Sequence, residues 1–129
     1  MNVVDSCGWV EYFSYGPNAG FFVPALKSPD TLVVPTLCVY EVFKRILDLF
    51  ARGEAVEMLS LMRHGTVVML DETLAIDAAM ISRDLKLSLA DSIILATARS
   101  HNATLWTQDA HFEGLEGVCY CAKSHLSRP

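Results

Sequence analysis

The chain has 129 residues, which suits a single domain with a hydrophobic core of its own. Hydrophobic residues make up 52% of it, yet no run of about 18 apolar residues occurs, which excludes a membrane-spanning helix. The net charge of −5 argues against a nucleic-acid surface built on a basic patch, an objection that weakens if several acids are committed to a cation.

In chain order, residues 2–5 read as a short strand that ends in an acid, Asp5. This N-terminus lacks a basic region followed by a long apolar stretch and is no secretory signal, so a cytoplasmic protein with four free thiols is expected. Residues 6–13 carry Trp9, Val10 and Phe13 at helical spacing, and Gly16-Pro17-Asn18 breaks the chain. A helix over residues 19–27 and a turn at Ser28-Pro29-Asp30 lead to a second strand at 32–34. Pro35-Thr36 opens a helix that runs to Arg52, where Gly53 stops it, and residues 54–64 form another. Residues 66–70 are rich in β-branched side chains and read as a third strand. Asp71 caps a helix to Lys86, and Ser88 starts one that reaches His101. Strands at 103–107 and 117–121 complete the series.

Strands separated by helices, joined by right-handed crossovers, predict an α/β fold: a three-layer α/β/α sandwich on a five-stranded, mostly parallel sheet. Residues 1–121 form this domain, and 122–129 form a polar C-terminal tail. Ligands of such sheets bind beyond the carboxyl ends of the strands, near the point where strand order reverses. Acids at strand ends are therefore weighed first.

Asp5 follows Val3-Val4 at a strand end, where it serves equally well as an N-cap or as a functional carboxylate. Glu41 shares a polar helix stripe with Arg45, Asp48 and Arg52, and locally a solvated Glu41–Arg45 pair explains it. Asp91 heads an apolar stripe of Ile94, Leu95 and Ala98; with Ser88 it could form a capping box, although Glu or Gln suits that box better. A carboxylate near an apolar face needs a partner, and a divalent cation is a good one. Asp109 follows the fourth strand and would otherwise be a turn aspartate. His111 has no second His or Cys at ligand spacing, which argues against a zinc site.

Taken together, Val-Val-Asp-Ser at the first strand end, Glu41 after the second strand, Leu-Ala-Asp-Ser-Ile-Ile-Leu-Ala-Thr-Ala at 89–98 and Thr-Gln-Asp-Ala-His-Phe at 107–112 resemble the PIN-domain nucleases. Length and element order look most like VapC-type toxins of toxin–antitoxin pairs. The resemblance implies a PIN-like sheet and one or two Mg²⁺ (or Mn²⁺) ions held by Asp5, Glu41, Asp91 and Asp109. It also implies that Ser6 and Thr107 orient a carboxylate, a water or a phosphate. Gln108 fills a variable position and carries little weight. The implied function is an endoribonuclease that hydrolyses RNA phosphodiesters with a metal-activated water. A homodimer and a cognate antitoxin are the implied partners. The chemistry is consistent, since clustered acids without a cation repel and raise at least one pKa, and oxygen ligands suit Mg²⁺. Single-stranded RNA admits a cleaving site more readily than a duplex. Lys44, Arg45, Arg83, Lys86 and Arg99 are candidate phosphate contacts.

Other readings remain open on sequence. A housekeeping PIN nuclease in RNA maturation would look much the same. A non-catalytic PIN-like binding domain would usually have lost some of the acids. A response-regulator receiver wants paired acids where Asp5-Ser6-Cys7 stands, and a haloacid-dehalogenase phosphatase needs Asp where Cys7 is. The apolar side chains Tyr40, Val42, Phe43 and Phe50 of one helix exceed what a sheet face covers and suggest a dimer contact.

Overall fold

The computed structural model describes residues 1–124. Five strands, β1 (Asn2–Val4), β2 (Leu32–Pro35), β3 (Thr66–Val68), β4 (Thr104–Thr107) and β5 (Val118–Tyr120), form one sheet in the order β3-β2-β1-β4-β5. Every pairing is parallel, with Val3 opposite both Val33 and Leu105. Val3, Val4, Val33, Val34 and Leu105 are all buried. Central parallel strands are covered on both faces, which is why they read as continuous apolar runs.

Six helices connect the strands: α1 (Ser6–Phe13), α2 (Ala19–Leu26), α3 (Thr36–Leu49), α4 (Arg52–Met62), α5 (Glu72–Leu85) and α6 (Leu89–Ser100). The chain steps from β1 to β2 to β3, then crosses back by α5 and α6 to β4 on the far side of β1. Right-handed crossovers in opposite directions place these helix sets on opposite faces. Strand order therefore reverses between β1 and β4, and the crevice at their carboxyl ends is where this class of sheet binds ligands. No helix among the described residues is long and apolar enough to cross a membrane.

Close approach of α1 to the sheet depends on Gly8. A Cβ there would lie 2.6 Å from Phe22 Cε1 and 2.7 Å from Val4 Cγ1. The position thus fixes how α1 leaves β1, directly after Asp5.

Several boundaries differ from the sequence expectation by one to three residues, among them the helix expected over 54–64, which spans Arg52–Met62. Two of the differences have a clear physical cause. The helix expected to run to Arg52 ends at Leu49, because Phe50 (φ −132°, ψ 163°) and Ala51 (φ −62°, ψ 149°) are extended. Phe50 turns onto the core, and α4 starts at Arg52, with Glu54 Oε1 accepting from Ala51 N at 3.1 Å. Arg52 and Gly53 thus belong to the first turn of a new helix; Gly53 stops nothing. The third strand, expected over 66–70, ends at Val68, because its partner β2 ends at Pro35, opposite Val68, and Thr36 already begins α3. Met69 and Leu70 are left exposed.

The surplus apolar face expected on the helix after β2 is mostly covered. Val42 is buried, and Phe43 and Phe50 pack on the core, while Tyr40, Leu47 and Leu49 remain exposed. The helix contacts α1, α4 and α6 as well as β2, which accounts for the extra coverage. The expected C-terminal tail falls partly outside the described residues. Within them, Ala122 O accepts from Asn18 Nδ2 at 2.9 Å, and Cys121 N donates to Thr107 O at 3.0 Å.

Candidate active site

β1 delivers Asp5 to the reversal crevice. Asp5 is the N-cap of α1, and its Oδ1 accepts from Ser6 N at 2.8 Å. Oδ2 is left for other work and accepts from Thr107 Oγ1 at 2.7 Å and from the Cys7 thiol at 3.4 Å. The two local readings of Asp5 are therefore compatible: one oxygen caps, and the other faces the neighbouring strand end.

β4 ends at Thr107, whose buried hydroxyl also accepts from Asp109 N at 2.9 Å. Asp109 caps the 3-10 turn Ala110–Phe112, with Oδ1 accepting from His111 N at 2.9 Å. His111 Nδ1 lies 2.8 Å from the same oxygen and 4.0 Å from Asp91 Oδ2. Asp91 reaches this point from the first turn of α6, where Asp91 N donates to the capping hydroxyl of Ser88 at 3.3 Å.

Glu41 joins through Ser6. Its Oε1 accepts from Ser6 Oγ at 2.7 Å, which ties α3 to the first residue of α1. The ion pairs among the described residues are those of His111 with Asp109 and Asp91; the Glu41–Arg45 pair expected as the local explanation is not among them. Ser6 is thus bonded to Glu41, and Thr107 to Asp5 and Asp109, while the acids whose ligand atoms lie within 4.8 Å of one another are Asp91 and Asp109, together with His111 rather than with Asp5 or Glu41.

The electrostatics of this crevice are those of crowded acids. Burial pushes the Asp5 carboxyl up to about 6; the Thr107 hydroxyl partly offsets this, and the Asp91 charge adds to it. Asp91 is also raised, first by burial and then by the Asp109 charge, with Glu41 contributing in the same direction. A group of oxygen donors whose charged forms destabilise one another is the donor set that a hard divalent cation relieves. Cys7 is pushed up to about 12 by burial and by the Asp5 charge, so it remains a protonated donor at neutral pH, as an inert thiol should.

A cavity of about 310 Å³ adjoins the acids, lined among others by Ser6, Glu41, Arg45, Gln108 and Lys123. Of the five cations expected as phosphate contacts, Arg45 lies here, joined by Lys123. Arg99 does not: it lies in the last turn of α6, at the opposite end of that helix from Asp91, and its guanidinium donates to Glu116 O at 3.3 Å. Gln108, given little weight on sequence, is buried, accepts from Asn18 Nδ2 at 3.0 Å and donates to Glu11 Oε1 at 3.4 Å. Sequence spacing gives His111 no second zinc-type ligand. The signal that could have found it is its place two residues after Asp109, inside the same turn.

A family model described as PIN domain matches residues 3–118. No curated protein sequence matches the chain. Among solved structures, the fold is similar to one described as a toxin–antitoxin complex from Klebsiella pneumoniae, with TM-score 0.80 and 21% identity over 92% of this chain and 96% of that one. It is also similar to VapBC2 from Rickettsia felis bound to a DNA fragment from its promoter, with TM-score 0.72 and 12% identity over 95% and 98% of the two chains. FitAcB from Neisseria gonorrhoeae aligns with TM-score 0.64 and 20% identity over 86% and 89%. At these identities the likeness is one of fold.

Proposed function

From the premise that this chain belongs to the PIN-domain family, we propose that it is a Mg²⁺- or Mn²⁺-dependent endoribonuclease, the toxin of a toxin–antitoxin pair. The observation that most supports the reading is that ligand atoms of Asp91, Asp109 and His111 lie within 4.8 Å of one another, beside Asp5, which shares the Thr107 hydroxyl with Asp109 and is raised in part by the Asp91 charge.

Asp5, Glu41, Asp91 and Asp109 would hold one or two ions. A divalent cation there supplies charge stabilisation at the phosphate and activates water for in-line attack. The chain's own residues set the geometry. Thr107 holds Asp5 Oδ2 and the Asp109 backbone, and Ser6 holds Glu41. Arg45 and Lys123 line the adjoining cavity and are placed to take a neighbouring phosphate of a single strand, which positions without reading sequence. The local cations and a loaded metal site reconcile an acidic chain with an RNA substrate.

The toxin assignment draws on what two of the similar folds are described as, a toxin–antitoxin complex and VapBC2. An antitoxin is accordingly the proposed protein partner, and the cytoplasm the proposed setting. A homodimer is supported by exposed Tyr40, Leu47 and Leu49 on α3 and by Ile76 and Met80 on α5. A monomer mass by light scattering at micromolar concentration would count against it.

The test is cleavage of single-stranded RNA with Mg²⁺, with Mn²⁺ and with EDTA, by the wild type and Asp91→Asn. Cleavage by the wild type alone, and only with metal, supports the proposal. Equal cleavage by both proteins, or indifference to EDTA, overturns it.

A further inference from the structure

His111 is an imidazole set among carboxylates. It is followed by the buried Phe112, and its own side chain is 77% exposed. Its Nδ1 lies 2.8 Å from Asp109 Oδ1 and 4.0 Å from Asp91 Oδ2. One ligand atom from each of Asp91, Asp109 and His111 lies within 4.8 Å of the others. Ligand atoms held about 2.0–2.2 Å from a small divalent ion sit about 3 Å apart when adjacent and about 4 Å apart when opposite. The 2.8 and 4.0 Å separations from His111 Nδ1 fall in that range.

The alternative role for the ring is to orient Asp109 by a hydrogen bond. The ring does make that bond, Nδ1 to Asp109 Oδ1 at 2.8 Å, but the same oxygen also accepts from His111 N at 2.9 Å, so the ring duplicates a contact that the backbone already makes. If the ring turns away, the backbone bond to Asp109 Oδ1 remains. On an exposed side chain it can turn from the carboxylate to a cation at little cost.

Resting on the nuclease reading above, we propose that His111 is a nitrogen donor to the cation held by Asp91 and Asp109, and that it biases the site toward Mn²⁺ over Mg²⁺. Mg²⁺ keeps its waters and prefers oxygen, whereas Mn²⁺ accepts imidazole more readily. All-carboxylate coordination would distinguish the two ions less. His111 is thus a residue that sets metal preference without being required for the site to exist.

The experiment measures binding rather than turnover. Mn²⁺ and Mg²⁺ are titrated calorimetrically into the full chain, His111→Ala, His111→Asn and Asp91→Asn at one common pH, since metal affinity depends on pH. The Mn²⁺ forms are then examined by pulsed electron paramagnetic resonance for coupling to a ligand nitrogen. The wild type should show nitrogen coupling that both His111 variants lose. Mn²⁺ affinity should fall about tenfold in those variants, while Mg²⁺ affinity changes by less than about threefold. Mn²⁺ bound to the wild type without nitrogen coupling overturns the proposal, as does equal weakening of both ions; His111 then only positions Asp109. Mn²⁺ binding undiminished in Asp91→Asn places the ion elsewhere and overturns the carboxylate-site reading itself. A wild type that binds neither ion overturns both.

Discussion

Thr107 Oγ1 donates to Asp5 Oδ2 at 2.7 Å and joins two residues 102 positions apart across the β1–β4 boundary. The same oxygen accepts from Asp109 N. One buried hydroxyl thus holds two of the four carboxylate residues. Thr107→Val keeps the shape and removes both bonds. It should cost about 1–3 kcal/mol of stability, measured by chemical denaturation, and weaken Mn²⁺ binding. Thr107→Ser should recover most of both losses, which mere loss of packing would not predict.

The raised Asp5 carboxyl makes a statement about pH. Its folded value, about 6, exceeds the ordinary 3.8, so the folded state binds more protons than the unfolded state between those values. Its contribution to stability is full below the lower value and is lost as pH rises through about 6. The shift of Asp91 acts in the same direction. In EDTA, the wild type should therefore lose up to about 3 kcal/mol between about pH 4 and pH 7.5 relative to Asp5→Asn. Saturating Mn²⁺ should restore much of that loss at neutral pH, since a ligand that binds only the folded state stabilises it. Parallel pH profiles for the two proteins would contradict the assignment.

Ser6 donates to Glu41 Oε1 at 2.7 Å, and this bond is what sets Glu41 beside the other acids. Ser6→Ala should lower metal affinity about tenfold, as loss of a supporting hydrogen bond to a ligand commonly does. Glu41→Gln should lower it further, because it removes a charge as well. Unchanged affinity in Glu41→Gln would return Glu41 to the solvated stripe that its helix pattern suggests.

Arg45 lines the cavity beside Glu41. Arg45→Ala should raise KM for RNA with little change in kcat, and lower the slope of log affinity against log salt by about one ion. A fall in kcat with unchanged KM would instead place Arg45 at the reacting phosphate.

Much of this was legible in sequence, for a physical reason. Val3-Val4 and Val33-Val34 stand out because inner parallel strands are apolar on both faces, and Asp5 and Asp109 stand out because they follow strand ends. The break between α3 and α4 was not legible. Nothing local marks Phe50 and Ala51 as extended; Phe50 is drawn onto a core assembled from distant segments. Glu41 could be assigned only by resemblance, since Ser6, which holds it, lies 35 residues away. Lys123 escaped for the same reason, since tertiary structure sets Arg45 beside it, whereas His111 carries a local signal, Asp109 two residues before it, and only its approach to Asp91 is tertiary.

The central claim is that four carboxylates from four distant stretches form one cation site. Anomalous scattering from a Mn²⁺-soaked crystal of the wild type tests it most directly. The account predicts a Mn²⁺ peak within coordinating reach of Asp5, Asp91 and Asp109, with Glu41 beside it. A well-ordered crystal at saturating Mn²⁺ with its peak elsewhere, or with no peak in the β1–β4 crevice, would contradict it.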